Sequence, residues 1–409
     1  MTTTLPVPTS SQIRPEIGSF QGHSLAIGRI RAFVTALVVA HHAVLAYHPW
    51  APPHDSLLTQ PRWWQAFPTA DPQKWTGWAL FTGFNDVFFM ALMFFISGLF
   101  VWSSLERKGA GRFVRDRLVR LGLPFLLLAG LLAPIAYYPA YLQCAPAPTL
   151  ADYCRQWFAL GNWPAGPGWF LWVLLALGCL AAAVYKLAPR ALPSVNHFAA
   201  PLLRRPAAFF VALAALSALA YAPMALALNP LRWTTWGPFT FQTSRIIHYA
   251  LYFAAGAIVG AATGERSLLS PTGPLAKRWI LWPIAALLAF VAVIAITIAA
   301  ATNPAHPRSL DIIGAIGFSV SCAASSFACL ALFLRFARSP RPLIDNFSAC
   351  AYGVFIIHYP IVNWLQHALL GAQLSGVVKG AIAIVAGLAL SWWAVYILCA
   401  TREKLACHP

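Results

Sequence analysis

The chain is poor in charge, above all in negative charge. Only 10% of its 409 residues are charged, and Asp and Glu together number 11, whereas 59% are hydrophobic. Soluble domains carry about 25% charged residues, so a soluble core could not absorb this much apolar surface. The same abundance of apolar residues excludes intrinsic disorder for most of the chain, because disordered segments need low hydrophobicity. The composition therefore predicts a protein that lies in a membrane.

Several motifs of soluble enzymes and pumps are also missing. There is no G-x-x-x-x-G-K-[ST] or G-x-G-x-x-G loop and no G-x-S-x-G nucleophile elbow, which argues against an ATP-driven pump and a serine hydrolase. No C-x-x-C or H-E-x-x-H occurs, so we expect no metal site and no permanently bound cofactor. Cys144 and Cys154 share one predicted outer loop and could pair, which the sequence leaves open.

Apolar runs of about 20 residues fill most of the chain, and such runs are long enough to cross a bilayer as helices. We predict spans at residues 28–47, 79–103, 119–140, 167–187, 206–228, 244–262, 278–300, 310–334, 349–370 and 374–400. The predicted fold class is all-α, a polytopic membrane helix bundle of about ten transmembrane helices. Residues 1–24 would form a disordered tail, 25–401 the integral-membrane domain and 402–409 a second short tail.

The distribution of basic residues predicts the orientation. With the N-terminus in the cytoplasm, 21 of the 28 Lys and Arg residues fall in inner segments and 5 in outer ones. Positive residues are retained on the cytoplasmic side of membrane proteins, so we expect both termini to be cytoplasmic. The net charge of +17 has the same explanation, and we expect no nucleic-acid partner.

The first span holds the residues most suggestive of chemistry. Ionisable side chains inside a span are unfavourable and usually functional. Arg31 and His42 are 11 residues apart, about three helical turns, so they share a face and are separated by about 16 Å along the axis. The arginine could anchor the charged head of a long anionic molecule while the imidazole meets its reactive end as a general base. His41 is turned away by roughly 80°.

A basic loop, residues 106–120, is predicted between the second and third spans. It contains Arg115, Arg117 and Arg120, and the last two are three residues apart and so project from one side of a helix. Guanidinium groups suit phosphate oxygens because their planar fork donates two parallel hydrogen bonds. The same arginines fit simple membrane topology and the binding of anionic lipid head groups, and the sequence leaves these interpretations open.

Other polar residues lie inside the later spans. Asn85 and Asp86 are in the outer half of the second span, where Asp86 could pair with Arg245 or a first-span histidine, bind an acceptor, or make only a structural hydrogen bond. His358 lies two residues before a proline and could cap the carbonyl that the proline frees, or take part in catalysis. Arg245 and His248 are three residues apart in the sixth span, and the same two interpretations apply to them.

Several motifs together resemble those of the acyltransferase family 3 membrane proteins. In chain order they are Arg31-x10-His42, Phe94–Phe100, Arg117-x-x-Arg120, Gly168–Leu171 and Tyr352–His358. They are spread from about residue 28 to 365, so the resemblance covers most of the chain. The double histidine and the Trp-Phe-Leu opening of the fourth span are most similar to the branch that contains glucan biosynthesis protein C.

The resemblance implies a multi-pass enzyme of the bacterial inner membrane. Such an enzyme moves an acyl group from cytoplasmic acyl-CoA, its co-substrate, to a hydroxyl of an envelope carbohydrate or related acceptor. It implies His42 as the catalytic base. His41 and Asp86, which the spans themselves single out, are further catalytic candidates. The donor-side candidates share a guanidinium group and are Arg31, Arg115, Arg117 and Arg120. The candidates for acceptor binding lie in later spans and are Trp169, Arg245, His248 and His358.

Two other functions stay open on the sequence alone. Intramembrane His, Asp and Arg residues also build the pathways of transporters and flippases, and they can act only to hold helices together in a scaffold. The acyl group, acetyl or succinyl, is not specified by the sequence, and neither are the acceptor and the oligomeric state. Direct transfer is favoured over an acyl-enzyme, because no cytoplasmic cysteine is placed for one.

Overall fold

The computed structural model describes residues 10–52, 66–161, 163–262, 268–305 and 307–406, and it is 80% helical. The helices are α1 (Ser10–Val44), α2 (Gly77–Gly98), α3 (Val101–Arg117), α4 (Leu123–Leu127), α5 (Ala133–Cys144), α6 (Leu150–Ala159), α7 (Trp169–Leu187), α8 (Ala191–Leu203), α9 (Pro206–Leu228), α10 (Ile246–Ala261), α11 (Pro274–Lys277), α12 (Leu281–Thr302), α13 (Arg308–Phe336), α14 (Pro342–Ala368) and α15 (Gly376–Ala406). One antiparallel hairpin, β1 (Trp233–Trp236) and β2 (Phe239–Gln242), precedes α10.

Nine helices in the described ranges are long and apolar enough to cross a membrane, which confirms the polytopic all-α class. The predicted sixth span is not one of the nine. It corresponds to α10, which has 16 residues and a length of about 24 Å. A turn of 3-10 helix, Thr243–Arg245, precedes it. Helices α1 and α15 extend into the segments predicted as tails, and those domain boundaries stay predictions.

The basic segment predicted as a loop is helical, so that prediction was wrong. Helices α3, α4 and α5 form one continuous run of 44 residues from Val101 to Cys144. Gly109 interrupts α3 with a φ of 74°, a conformation that glycine tolerates because it has no side chain. Two π-helical turns, Leu118–Gly122 and Leu128–Leu132, join the pieces. The charge density suggested a loop, but Lys108 and Asp116 form an ion pair across the kink at Gly109.

Helix α1 lies at the centre of the bundle. Its neighbours are α2, α13, α14 and α15, and its apolar side chains are buried on successive faces, as Ile30, Val34 and Val39 show with no exposed surface. Helix α12 is the opposite case, because Leu287 and Leu288 are exposed by 61% and 64%. A helix that is apolar all round faces either a core or lipid. Helix α1 therefore faces protein over most of its surface, although Phe33 is 38% exposed, and α12 faces lipid.

Glycines let α2 and α10 approach each other closely. A Cβ atom added at Gly256 would lie 2.0 Å from the carbonyl oxygen of Phe95, and one at Gly260 would lie 1.9 Å from that of Leu99. This spacing matches the small-xxx-small pattern of membrane helix packing. The two helices run in the same direction, because both contact positions advance together along the chain. Their parallel packing brings the beginning of α10 beside the outer half of α2.

Two ion pairs lie at the opposite ends of the membrane span of α1, Leu25–Tyr47. The Nζ of Lys379 lies 2.7 Å from Oδ2 of Asp71, and both side chains are fully buried. The backbone N–H of Asp71 donates to the carbonyl of Ala46, 2.9 Å away. At the other end, Nε of Arg29 donates to Oδ1 of Asp345 at 2.8 Å. Arg29 and Asp345, both in segments predicted near the cytoplasmic face, therefore meet at one end of the bundle. Asp71 and Lys379, both in segments predicted near the outer face, meet at the other end.

Segments predicted as outer loops fold back against the helices. The turn Gly166–Gly168 packs so closely that a Cβ atom at Gly166 would lie 2.6 Å from the ring of Tyr359. Trp233 of the hairpin lies edge-on to Trp169, with ring centroids 5.6 Å apart. Cys154, on α6, is an exposed free thiol, so no disulfide is formed by it in the structure.

Candidate active site

Two histidines from distant parts of the chain meet inside the bundle. The Nδ1 atom of His42, on α1, lies 3.2 Å from Nε2 of His358, on α14. The same Nδ1 lies 2.9 Å from the backbone carbonyl of Val38, one turn earlier on α1. The Nδ1 atom of His358 lies 2.8 Å from the carbonyl of Phe355. Each imidazole is thus held by a carbonyl of its own helix, and the two rings contact each other.

These contacts fix which ring nitrogens carry protons. A carbonyl oxygen only accepts hydrogen bonds, so Nδ1 of His358 carries a proton and donates it to the carbonyl of Phe355. The lone pair of neutral His358 is therefore on Nε2. Nδ1 of His42 likewise carries a proton, which it shares between Val38 and Nε2 of His358. In neutral His42 the lone pair is therefore on Nε2. No group in the described part of the chain hydrogen-bonds to this atom, so His42 has the arrangement of a general base.

His41 and His42 are partly exposed although α1 is surrounded by other helices. His42 contacts α14 through His358 and His41 contacts α2 through Phe89, so the accessible surface of both rings lies where α1 meets these helices. Asp86 is also accessible, with 42% of its side chain exposed, whereas its partner Arg245 is 4% exposed. Gly83, one turn before Asp86 on α2, is exposed and has no atom within 4 Å of an added Cβ. Open space thus adjoins this side of α2.

Asp86 and Arg245 form an ion pair across the α2–α10 contact. Nη2 of Arg245 donates to Oδ2 of Asp86 at 2.7 Å, and Nη1 donates to the backbone carbonyl of Asp86 at 3.0 Å. The guanidinium also lies over the ring of Phe318, 4.6 Å from its centroid. His41 is within electrostatic reach of Asp86, and its ring centroid is 5.7 Å from that of His42. The pairing of Asp86 with Arg245 was one of the alternatives from the sequence.

Arg29 and Arg31 lie near the start of the membrane span of α1, Leu25–Tyr47, and have different environments. Arg29 is buried and is bound by Asp345 through two nitrogen atoms, at 2.8 and 3.2 Å. Arg31 is exposed, and within the described ranges it has no hydrogen-bond or ion-pair partner. Arg29 therefore holds α1 to α14, whereas the charge of Arg31 is available to a ligand.

A π-helical turn presents Arg120 at about the same level. Its backbone carbonyl accepts a hydrogen bond from the hydroxyl of Tyr352, on α14. Ser348, one turn before Tyr352, contacts α1 at Gly28, where an added Cβ would lie 3.4 Å from the serine oxygen. Arg31 is also about one turn beyond that contact. The two arginines therefore lie at a similar depth, and α14 carries contacts to both of their helices. Such π turns are frequent at functional sites.

Arg117 and Arg115 complete the basic segment. The guanidinium of Arg117 lies over the ring of Phe113, 5.0 Å from its centroid, and its stem lies beside Gly178 of α7. Arg115 is exposed. Among the described residues neither arginine has an acidic partner, so both charges are free to meet an anion. No cluster of three or more His, Cys, Asp or Glu in these ranges could hold a metal ion.

His248 and Trp169 are embedded in packed surroundings. His248 is fully buried, with Nδ1 2.8 Å from Oγ of Ser217 and Nε2 3.5 Å from Sγ of Cys322. Trp169 packs against Phe94 and Tyr249, with ring centroids 6.3 and 5.7 Å apart. Both nitrogen atoms of His248 are thus already engaged, which favours a structural role for this residue.

Comparison with known families agrees with the sequence motifs. The model of a family described as an acyltransferase domain matches residues 25–396. The chain belongs to acyltransferase family 3. The protein is accordingly an acyltransferase that crosses the membrane several times. No curated protein and no solved structure matches the chain significantly, and the similarity to the glucan biosynthesis protein C branch stays a prediction.

The acyltransferase has site features that sequence reasoning missed. The partnership of His358 with His42 was not predicted, because it joins residues 316 positions apart. The hydroxyl of Tyr352 was noted only as part of a motif. Gln366 was not singled out, yet its amide donates to the carbonyls of His42 and Ala43 at 2.7 and 2.9 Å. The sequence did contain a signal for Gln366, because this residue follows His358 by eight positions and so lies near the same face of a helix.

Proposed function

We propose that this acyltransferase moves an acetyl or succinyl group from cytoplasmic acyl-CoA to a hydroxyl of an envelope carbohydrate, in the inner membrane of a bacterium. The observation that carries the proposal is the hydrogen-bond geometry of His42. Its Nδ1 proton is committed to Val38 and His358, and its Nε2 lone pair has no hydrogen-bond partner in the described part of the chain. An imidazole held in this way is suited to accept a proton from an acceptor hydroxyl.

The reaction would proceed by direct transfer. Nε2 of His42 takes the proton as the acceptor oxygen attacks the thioester carbonyl carbon. The new C–O bond forms, the C–S bond breaks, and the CoA thiolate receives the proton from the imidazolium. While His42 carries the charge, its Nδ1–H stays bonded to two acceptors. This is the supporting role that a third group has in catalytic triads, here taken by Val38 and His358.

The exposed arginines provide a site for the donor. Arg31 and Arg120 lie at similar depth, and Arg117 is near Arg120 on the same helical run. Phosphate oxygens are good partners for such guanidinium groups. Arg31 is about 16 Å from His42 along α1, a separation that an extended pantetheine arm can bridge. The 3′-phosphate and diphosphate of CoA would thus be held at one end while the thioester reaches the imidazole.

The test is release of CoA thiol by purified protein in lipid vesicles. Acetyl-CoA and succinyl-CoA are supplied in turn, with and without a mixture of envelope glycans. Wild type is compared with His42→Ala, with the neighbouring His41→Ala and with Arg120→Ala. We expect release to fall by about 10² to 10⁴ in His42→Ala, the usual contribution of a general base, and to persist in His41→Ala. Arg120→Ala should raise the KM for the donor.

Two results would count against the proposal. Undiminished CoA release by folded His42→Ala protein would show that His42 is not the catalytic base. Absence of both CoA release and acyl-CoA binding in wild type, even with glycans added, would show that acyl-CoA is not the donor. The second result would direct attention to transport assays.

A further inference from the structure

The backbone of α1 at His42 is held by a side chain of α14. The Nε2 amide of Gln366 donates to the carbonyl of His42 at 2.7 Å and to the carbonyl of Ala43 at 2.9 Å. Gln366 is 1% exposed. A side-chain amide nitrogen carries two hydrogens, so both donors of Gln366 are engaged by the two carbonyls at the proposed base.

These hydrogen bonds meet a requirement of the end of α1. The helix ends at Val44, two residues after His42, and a turn of 3-10 helix, Leu45–Tyr47, follows directly. The last four carbonyls of an α-helix have no N–H donor inside the helix, and those of His42 and Ala43 are among the four. A buried carbonyl without a donor is unfavourable. Gln366 therefore supplies from α14 what α1 lacks at the residue that carries the base.

Helix α14 thus contacts the proposed base at two points. Nε2 of His358 lies 3.2 Å from Nδ1 of His42, and Gln366, eight residues later on α14, holds the carbonyl of the same residue. The first contact acts on the imidazole and the second on the backbone that carries it. A hydrogen bond weakens steeply when its geometry is distorted. The contact between the two rings therefore depends on a fixed position of the end of α1 against α14.

Other contacts hold α1 farther from His42. The ion pair between Arg29 and Asp345 lies about 20 Å before His42 along the helix axis. Beyond His42, the segment that precedes α2 donates two backbone hydrogen bonds to the 3-10 turn, at 2.9 and 3.0 Å. These contacts hold the two ends of the span, whereas Gln366 acts at His42 itself.

We propose that Gln366 is a positioning residue for the general base. It fixes the end of α1, so that the imidazole of His42 keeps its Nδ1 hydrogen bond to His358 and presents Nε2 to the acceptor hydroxyl. This inference rests on the proposed acyl transfer and adds a residue to its machinery. Because the amide hydrogens of Gln366 are bound to the backbone of α1, we expect it to act through His42 and to leave donor binding unchanged.

The test measures CoA release over a range of acetyl-CoA concentrations, with protein in lipid nanodiscs, so that kcat and KM are obtained separately. Gln366→Met keeps the length of the side chain and removes its N–H donors. Gln366→Asn is the milder variant, since it keeps a buried amide but shortens the side chain by one carbon. Asn363→Leu is the control, because Asn363 is also 1% exposed and its amide donates to Tyr359 within α14, at 3.0 Å. The Tm and the elution profile of each variant show whether it is folded.

We expect Gln366→Met to lower kcat by about 10- to 100-fold, as a small misplacement of a catalytic group does, with no change in the KM for acetyl-CoA. Gln366→Asn should lower kcat in the same way but less, and Asn363→Leu should keep the kcat of wild type. Combining Gln366→Met with His358→Ala should show coupling. Because both residues act through one imidazole, the loss in the double variant should be smaller than the product of the two single losses.

Four results would overturn the inference. They are a wild-type kcat in either folded Gln366 variant, a change confined to the KM, an equal loss in Asn363→Leu, and losses that simply multiply in the double variant. Each can occur while CoA release depends on His42, in which case the proposed function stands and only the positioning role fails. CoA release that does not depend on His42 would instead refute the proposed function.

Discussion

Replacing His358 by alanine should slow the chemical step without weakening donor binding. In the structure the Nδ1 proton of His42 is shared between Val38, at 2.9 Å, and His358, at 3.2 Å. The substitution leaves only the first acceptor. A hydrogen bond to a charged group contributes about 1.5–3 kcal/mol, and about 1.4 kcal/mol corresponds to a tenfold change in rate. We therefore expect kcat to fall by about 10- to 150-fold, less than in His42→Ala.

The assay is CoA release over a range of acetyl-CoA concentrations, which separates kcat from KM. His358→Gln keeps a side-chain carbonyl that can accept the Nδ1 proton, so it should recover part of the lost kcat. Asn363→Ala is the comparison variant, because Asn363 is similarly buried on α14 and its amide donates to the carbonyl of Tyr359 at 3.0 Å. A kcat equal to wild type in His358→Ala, or a change confined to KM, would refute the orienting role.

Three further predictions follow from the packing and ion pairs. Arg31→Ala should raise the KM for acyl-CoA about tenfold, the effect of losing one charge-assisted hydrogen bond, whereas Arg29→Ala should mainly lower the Tm. Equal effects of both variants on the KM would contradict the assignment of Arg31 to donor binding and of Arg29 to structure. Gly256→Leu should prevent folding, seen as loss of monodisperse protein in detergent, because its Cβ would lie 2.0 Å from a backbone oxygen. Lys379→Met alone should destabilise by about 3–5 kcal/mol, since it leaves a buried charge unpaired, and adding Asp71→Asn should recover most of the loss in a thermal unfolding assay.

Local features of the site could be predicted from the sequence, because helix geometry is local. The eleven-residue spacing places Arg31 and His42 on one face of a helix, and α1 is helical across both residues. The preference of Arg29 for a structural partner was not visible, since Asp345 is 316 residues away. The contact of His42 with His358 has the same separation and depends on how α1 packs against α14. Such pairings need the tertiary structure.

The errors in the fold have physical causes too. The segment around Arg115 has many charges and two glycines, which is typical of a loop, yet it is helical, packs against α7 and α10 and holds one internal ion pair, Lys108–Asp116. The sixth span was hard to place because α10 is short and begins with a 3-10 turn. Its close contact with α2 depends on glycines, whose role becomes visible only when the two helices are seen together.

The central claim is that His42 receives the acceptor's proton while the donor is bound from one membrane face and the acceptor is supplied from the other. The most direct test is a sided assay in vesicles, with labelled acetyl-CoA sealed inside and methyl glucoside outside, and protein oriented with its termini inside. We predict labelled sugar in the outer medium with wild type and with His41→Ala, and none with His42→Ala. Labelled sugar formed equally well by His42→Ala, or only when donor and sugar share one compartment, would contradict the account.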